Sequence, residues 1–280
     1  MSSQVSRRRF LAAAGVGLVG MSGGAGYAFG VEPRHVLMSP EEVPVPGLPP
    51  ALDGLRILQV SDIHLYAGLH APARRAMAIA AEAAPDITLL TGDLLEQQSQ
   101  LPNLKPLIEA CRGRLATVAV MGNWEYAAGV IPSRYARVLE AGGAELLYNA
   151  ARVVTVGDTR LALVGLDDPR AGYPRPDKAL ADVPAGIPTV WTYHAPGYTD
   201  DLSPDRYPPP TFIAAGHTHG GQIRFPLVPP VLPPGSGRFV AGWYRDTFAP
   251  LYVSRGIGTT AVRARFLCPP ELPLFTLRRT

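Results

Sequence analysis

Seven side chains that are good metal ligands occur in five short blocks spread along the chain. They are Asp62 and His64 in the first block, Asp93 in the second, Asn123 in the third, His194 in the fourth, and His217 and His219 in the fifth. Carboxylate and amide oxygens together with imidazole nitrogens suit hard or borderline divalent ions. Seven ligands exceed the needs of one ion and fit two ions that share a bridging carboxylate. Such a pair, about 3.5–4 Å apart, binds a phosphate group and activates a water molecule between the ions.

Each block follows an apolar run of the kind that forms a buried strand. The runs are 55–60, 86–90, 117–120, 189–193 and 212–215. Helical patterns at 71–84, 105–112 and 132–141 alternate with the first three runs. This β-α-β order predicts a largely parallel sheet, in which the carboxyl ends of the strands meet at one edge. The ligand blocks are therefore expected to converge there.

The second half of the chain has a different pattern. The runs 153–156 and 160–164 flank a Gly-Asp turn and predict a hairpin, and further strands are expected at 251–254 and 273–277. We therefore predict an α/β protein with two packed sheets and helices outside them. We expect Asp62 and His64, two residues apart on a strand tip, to face one ion. His217 and His219 would do the same unless a turn divides them between two ions.

These blocks resemble the signature of the calcineurin-like metallophosphoesterases. The matching motifs are Asp62-x-His64, Gly92-Asp93, Gly122-Asn123-Trp124-Glu125, His194 and Gly216-His217-Thr218-His219. The resemblance implies a four-layer αββα sandwich and two divalent ions, for which the ligands suit Mn, Fe or Zn. It also implies that Asp62, His64 and His219 hold the first ion, that Asn123, His194 and His217 hold the second, and that Asp93 bridges both.

Further motifs narrow the resemblance to a bacterial branch of exported or membrane-associated enzymes. They are Gly220-Gly221-Gln222-Ile223-Arg224-Phe225-Pro226 and the run 251–259. Some members of this branch cleave the pyrophosphate of a UDP-2,3-diacylglucosamine lipid precursor. The resemblance implies a hydrolase of phosphoester or phosphoanhydride bonds, with Asp93 and Asn123 among its catalytic residues. The branch does not identify the substrate.

Trp124 departs from the family pattern, which usually has a histidine here beside the scissile phosphate. An indole donates one hydrogen bond but cannot carry a proton during turnover. The departure favours a good leaving group, such as that of a pyrophosphate. His70, in the loop after the first strand, is a candidate replacement acid, although an exposed loop histidine is the plainer interpretation. Weak or absent catalysis in a metal-binding member of the family is the alternative function.

The amino terminus has the pattern of a targeting segment. Arg7, Arg8 and Arg9 account for the whole net charge of +3, and the run from Phe10 to Gly30 has no charged residue. This pattern is typical of a twin-arginine export signal, with cleavage after Ala28 or a retained membrane anchor as the open alternatives. We therefore expect domains at 1–30 (signal or anchor), 31–51 (Pro-rich linker) and 52–280 (catalytic domain). We expect a periplasmic location or one on the outer face of the cytoplasmic membrane.

The partners follow from charge and composition. The body of the chain is electrically balanced and has no basic stripe, which argues against a nucleic-acid substrate. The expected partners are a phosphorylated small molecule or lipid, the twin-arginine export machinery and a membrane surface. Cys111 and Cys268 lack the spacing of a zinc site, and we expect two buried thiols.

Overall fold

The computed structural model describes residues 24–280, which form two six-stranded sheets packed face to face. The strands are β1 (Leu37–Val45), β2 (Arg56–Val60), β3 (Ile87–Leu90), β4 (Ala116–Ala119), β5 (Glu145–Leu146), β6 (Ala150–Val156), β7 (Thr159–Gly165), β8 (Thr189–Thr192), β9 (Phe212–Ala215), β10 (Gly242–Tyr244), β11 (Leu251–Val253) and β12 (Glu271–Arg279). The α-helices are α1 (Ala71–Ala83), α2 (Leu101–Cys111), α3 (Asn123–Ala127), α4 (Pro132–Gly142) and α5 (Pro176–Leu180).

The first sheet has the order β1-β12-β2-β3-β4-β5. Strands β2 to β5 are parallel, as the alternation of strands and helices predicts. Strand β12 lies antiparallel to β2 and parallel to β1, so it separates these two strands. Helices α1, α2 and α4 cover the outer face, where their apolar sides pack on Leu58, Val60 and Leu90. Helix α4 begins with Pro132 and ends at Gly142, and the following Gly143 caps it with a φ of 89°.

The second sheet has the order β10-β11-β9-β8-β7-β6, with the predicted hairpin formed by β6 and β7. The two sheets enclose a core in which Ile57, Leu89, Val190, Phe212 and Phe275 are completely buried. Each such side chain contributes about 1.5–3 kcal/mol through removal of apolar surface from water. The outer face of this sheet is covered by α5, a short 3-10 helix at Pro196–Asp201 and loops. The predicted αββα arrangement is confirmed, with a thinner second outer layer.

Part of the predicted linker belongs to the first sheet. Residues 37–45 pair with β12 along their whole length, and Val36, Val43 and Leu48 are buried. The expected boundary at residue 52 is therefore too late, because the packed domain already includes β1. Helix α2 also starts earlier than predicted, at Leu101, with Pro102 in its first turn. Prolines 40 and 44 are compatible with β1 because this strand lies at the sheet edge.

The described region includes only the last part of the predicted targeting segment. Arg7, Arg8 and Arg9 lie outside the described residues, whereas Tyr27–Val31 form a short turn of π-helix. Between residues 24 and 280, no helix combines the length and hydropathy that a membrane crossing requires. Cys111 and Cys268 are buried free thiols, as expected.

Candidate metal centre

The predicted ligands lie just after the carboxyl ends of strands from both sheets. Asp62, Asp93 and Asn123 follow β2, β3 and β4, and His194 and His217 follow β8 and β9. Packing of the two sheets brings these ends to the same edge. The side chains are nearly or completely buried, with Asn123 the most accessible at 8%. Burial of this many polar groups is costly unless each has a partner or a bound cation.

Five of the ligands have a left-handed backbone conformation. The φ angles are 53° for Asp62, 52° for His64, 52° for Asp93, 74° for His217 and 50° for His219. Such φ values are unfavourable for residues with a Cβ and concentrate at functional sites. The pair of Asp62 and His64 was predicted on an extended strand tip, but β2 ends at Val60. The two residues lie beyond it with left-handed φ angles, and their N–H groups donate to the carbonyls of Gly92 and Asp93.

Six of the predicted ligands form two triads. Asp62, His64 and His219 make the first, and Asp93, His194 and His217 make the second. In each triad the three donor atoms lie within 4.8 Å of one another. His217 and His219 are thus divided between the triads, the arrangement that a turn between them would produce.

Asp93 connects the two triads. Its Oδ2 atom lies 3.0 Å from Nε2 of His194 in its own triad and 3.6 Å from Nε2 of His64 in the other. Its Oδ1 atom accepts a 2.8 Å hydrogen bond from the backbone N–H of Trp124, which fixes the plane of the carboxylate. A carboxylate held in this way between two ligand sets has the position that a bridging ligand requires.

Two glycines allow the ligand loops to approach one another closely. A Cβ on Gly92, whose φ is 87°, would lie 2.8 Å from Nδ1 of His194 and 2.9 Å from the backbone of Gly122. A Cβ on Gly122 would collide with the carboxylate and the backbone nitrogen of Asp93. Larger residues at either position would therefore displace Asp93 or His194.

Glu125 holds the loop that carries Asp93. This completely buried carboxylate accepts hydrogen bonds from the backbone N–H groups of Asp93 (2.9 Å), Leu94 (2.7 Å) and Gly122 (2.9 Å). These bonds join the loops after β3 and β4. Burial, followed by the nearby charge of Asp93, raises the pKa of Glu125 to about 7.

Backbone carbonyls orient two of the histidines. Nδ1 of His194 lies 2.8 Å from the carbonyl oxygen of Thr91, and Nε2 of His217 lies 2.9 Å from that of Pro234. An imidazole that donates a hydrogen from one nitrogen presents a lone pair on the other. Nε2 of His194 and Nδ1 of His217 are therefore available for an ion, and such outer hydrogen bonds are typical of metal-bound histidines.

Opposite charges shape the electrostatics of the centre. Burial opposes ionisation of Asp93, but the imidazoles of His194 and His64 hold its pKa at about 2. Burial also disfavours a charged His194, yet the carboxylates of Asp93 and Asp62 raise its pKa well above the ordinary value. Burial lowers the pKa of His217 to about 4 and that of His219 far below its usual range. Asp93 therefore stays ionised beside neutral His217 and His219, and a divalent cation would replace the proton that His194 holds next to this carboxylate.

The side chain of Asn123 provides an independent test of this fit. Its buried Oδ1 atom has no hydrogen-bond partner within the described part of the chain. A buried amide oxygen without a partner costs free energy, and a cation would remove that cost. The donor types, their clustering and this unpaired oxygen all fit two divalent ions, which the seven predicted residues would hold.

His70 does not have the position expected of an acid. Its Nδ1 atom accepts a hydrogen bond from the N–H of Ala73 and so caps α1, and its Nε2 atom lies 3.0 Å from the carbonyl oxygen of Ile63. Both ring nitrogens are thus bound to backbone groups. Burial lowers the pKa of His70 as well. The structure therefore supports a capping role and does not support the predicted catalytic role.

Trp124 lies next to the first triad. Its ring meets that of His64 edge-on, with 5.5 Å between centroids, and its side chain is half-buried. The indole occupies the place where the family usually has a histidine.

Two buried charged residues near the centre had no clear signal in the sequence. Arg265 is completely buried, donates to the carbonyls of Gly258 and Cys268, and lies 3.4 Å from Nδ1 of His219. Asp168 is also completely buried, and burial raises its pKa to about 6. A charged residue in a loop resembles many surface residues, so only the fold reveals these two.

Comparisons with known proteins agree with this centre. Residues 55–221 match the family model described as calcineurin-like phosphoesterase. The chain is 28% identical to the uncharacterized metallophosphoesterase YkuE of Bacillus subtilis, with 99% of both chains covered. It is 29% identical to the phosphodiesterase YaeI of Escherichia coli, covering 98% of this chain and 99% of the relative.

A third relative has a more specific name. The UDP-2,3-diacylglucosamine pyrophosphatase LpxG of Chlamydia trachomatis is 26% identical over 80% of this chain and 83% of its own length. The family match covers more than half of the sequence and includes every predicted metal ligand. The chain therefore belongs to the calcineurin-like phosphoesterases, a family of metal-dependent hydrolases of phosphoester bonds.

Proposed function

We propose that this protein is a dinuclear metal-dependent hydrolase that cleaves a phosphoester or phosphoanhydride bond, with a lipid-linked or nucleotide pyrophosphate as its substrate. The observation that carries the dinuclear assignment is the position of Asp93 Oδ2, 3.0 Å from His194 of one triad and 3.6 Å from His64 of the other. Two divalent ions, when bound, would supply Lewis acidity that polarises phosphoryl oxygens and lowers the pKa of water.

The residues of the chain provide a rigid frame for this chemistry. Asp62 accepts hydrogen bonds from Ser61 and from the N–H of His217, so its position depends on both sheets. Asp93 is fixed by Trp124 through one oxygen and by Glu125 through the backbone. A preorganised site of this kind pays little reorganisation free energy during the reaction.

The indole of Trp124 favours an activated substrate. It offers one N–H donor and no exchangeable acid, so protonation of a poor leaving group lacks the usual histidine. General acid catalysis is worth about 10²–10⁴-fold, and a phosphoanhydride with its good leaving group depends on it least. The name of the relative LpxG, a UDP-2,3-diacylglucosamine pyrophosphatase, is in keeping with this class of substrate.

We propose the location of the protein from its amino-terminal sequence. Three consecutive arginines before an uncharged run that extends to Val31 support export by the twin-arginine machinery. The active domain would then face the periplasm or lie on the outer face of the cytoplasmic membrane.

An assay of the purified full chain tests the proposed function. The chain is stripped with a chelator, reloaded with Mn, Fe or Zn, and incubated with bis-p-nitrophenyl phosphate and with a UDP-linked pyrophosphate. Metal-dependent turnover, with preference for the anhydride over an alkyl phosphate, supports the proposal. Tight binding of two ions without turnover of any substrate would favour the alternative, a non-catalytic metal-binding member, for which Trp124 is the specific observation.

A further inference from the structure

One face of the molecule carries large apolar side chains that are exposed to solvent. We call it the apolar rim and define it by Phe29, Phe225, Leu227, Val228, Val231 and Leu267. Leu227 is fully exposed and Val231 is 90% exposed, while the other four are 51–59% exposed. Scattered exposed apolar residues are normal, but a cluster of this size marks an interaction surface.

The rim is continuous although its residues come from three parts of the chain. The ring of Phe266 lies 5.5 Å from that of Phe225 and 6.5 Å from that of Tyr27. The backbone of Arg224 donates to the carbonyl of Phe266, and that of Arg265 donates to the carbonyl of Ala28. The amino-terminal turn, the loop 223–231 and the segment 262–267 therefore form one surface.

The loop holds its apolar side chains outward. Pro226 precedes Leu227, and Pro229 and Pro230 follow Val228, so few backbone conformations are accessible. Leu227 has a φ of 66°, an unfavourable angle for a branched side chain. A leucine that is strained and completely exposed adds nothing to the core. Its contribution must therefore come from contact with something outside the described residues.

Both ends of this loop are attached to the metal centre. The loop starts shortly after His219, a ligand of the first triad. At its other end, the carbonyl of Pro234 accepts a hydrogen bond from His217, a ligand of the second triad. Gly221 also packs closely against Pro230 across the base of the loop. A binding partner that contacts the rim therefore lies at the border of the metal centre.

The charges and apolar residues around the rim indicate the chemistry of this binding partner. The uncharged run from Phe10 onward enters the described structure at Tyr27–Val31, within the rim itself. Residues 206–245 and 247–270 contain no Asp or Glu and include Arg224. Glu32, the nearest acid in the amino-terminal turn, is buried and bonded to the backbone of Leu267 and Cys268. Arg263, in the segment 262–267, is already paired with Glu96, so Arg224 is the basic residue of the rim loop. An apolar loop that carries a basic residue and no acidic one is complementary to an anionic bilayer.

The geometry points to the apolar rim as a membrane-docking surface, with Leu227 and Val231 inserted among the lipids and the metal centre held at the level of the headgroups. A phosphate-bearing headgroup reaches the two triads from the bilayer, and its acyl chains remain in the membrane. The choice of a lipid headgroup as substrate rests on the proposed function, whereas the docking surface does not depend on it.

A site-directed fluorescence experiment tests the docking. Leu227→Cys and, separately, Val231→Cys are introduced into the full chain and labelled with the polarity-sensitive dye NBD. The two native thiols are buried, so the label attaches to the new cysteine. The matched control is Asp158→Cys, an exposed position in the turn between β6 and β7, at the opposite end of β7 from the metal centre. Vesicles of phosphatidylethanolamine and phosphatidylglycerol are then added, with and without spin-labelled lipid.

The expected result is a several-fold rise of NBD emission at both rim positions, quenched by the spin-labelled lipid, and no change at position 158. Unchanged emission at 227 and 231 on vesicles that carry the protein would overturn the proposal. High NBD emission at 227 and 231 in the absence of vesicles would also overturn the proposal. If this emission grows with protein concentration, the rim contacts a second copy of the chain. If it does not depend on concentration, the rim contacts residues 10–23 of the same chain. The experiment reads no turnover, so its failure is distinguishable from failure of the hydrolase assignment.

Discussion

The Nε2 atoms of His64 and His219 face each other at 2.9 Å inside the buried edge of the two sheets. The Asp62 carboxylate lies beside them, with its Oδ1 atom 3.6 Å from Nε2 of His219. If both imidazoles are neutral, this distance is favourable only when one Nε2 atom carries a hydrogen and donates it to the other. If neither Nε2 atom carries a hydrogen, both lone pairs point toward the same place, and a cation bound there would stabilise them.

Removal of metal should destabilise the folded chain. Ions that bind the folded state alone contribute about 2.7 kcal/mol of unfolding free energy at a free concentration 100 times their Kd. We expect the midpoint of urea unfolding to fall in chelator and to recover on addition of Mn or Zn. His219→Ala is the informative variant, because it should lose most of this metal-dependent increment. Identical midpoints with and without metal would contradict the fit of the triads to ions.

Asp93→Ala should remove the connection between the triads. We expect fewer than two ions per chain by elemental analysis and a loss of activity greater than the roughly 10–100-fold typical of a group that only supports a ligand. Asp158→Ala, at an exposed turn, serves as the control. A variant that lacks the Asp93 carboxylate and still hydrolyses an aryl phosphate at the wild-type rate would rule out the dinuclear assignment.

Glu125→Gln should loosen the loop that positions Asp93. The amide replaces one accepting oxygen with a donor, so at least one backbone N–H loses its partner at a cost of about 1–3 kcal/mol in the free energy of unfolding. Metal affinity or activity should also drop by about 10–100-fold. The exposed Glu140→Gln on α4 is the matched control, and equal effects of the two substitutions would show that Glu125 does not hold the loop.

Trp124→His should restore a proton donor beside the scissile bond. We expect hydrolysis of an alkyl phosphate, which has a poor leaving group, to accelerate by up to about 10²-fold, with little change for an aryl phosphate. Trp124→Phe removes the indole without supplying an acid and should leave the ratio of the two rates unchanged. If the ratio also stays constant in Trp124→His, the leaving group is protonated by another route.

His70→Ala should weaken the start of α1 without changing the chemistry. Loss of a side-chain cap costs about 0.5–2 kcal/mol in the free energy of unfolding, and His70→Asn should recover part of it because Asn is a good cap. The kcat should remain within about twofold of wild type if His70 acts only as a cap. A loss of kcat by about 10²-fold or more in both variants would instead revive the role of His70 as an acid.

The metal ligands could be predicted because their residue types bind divalent ions and because they follow apolar runs in a fixed order along the sequence. Asp62, Asp93 and His194 each follow an apolar run, and parallel strands bring such positions to one edge. The left-handed φ of Asp62 could not be predicted in this way, because the strain is imposed by the packing of the loops. The hydrogen bond between Glu125 and Asp93 and the contact of Arg265 with His219 connect segments that are distant in sequence, so they likewise depend on the complete fold.

Residues 37–45 were expected in the linker but form β1, and the reason is also physical. Residues 37–45 contain Pro40 and Pro44 together with Glu41 and Glu42, a composition that favours a linker. Proline lacks the N–H group that a central strand uses for hydrogen bonds, but an edge strand needs hydrogen bonds on one side only. Local propensity was overridden here by nine residues of pairing with β12, a partner that periodicity within the segment does not reveal.

The place of β12 between β1 and β2 has a consequence for biosynthesis. Residues 271–279 fill the gap between two strands that the ribosome makes much earlier, and Phe275 completes the layer between the sheets. A nascent chain that lacks them cannot close the first sheet, so folding must wait until translation has passed this point. A chain that ends before residue 271 would leave β1 without its partner and β2 without its neighbour on that side, so the first sheet would stay incomplete.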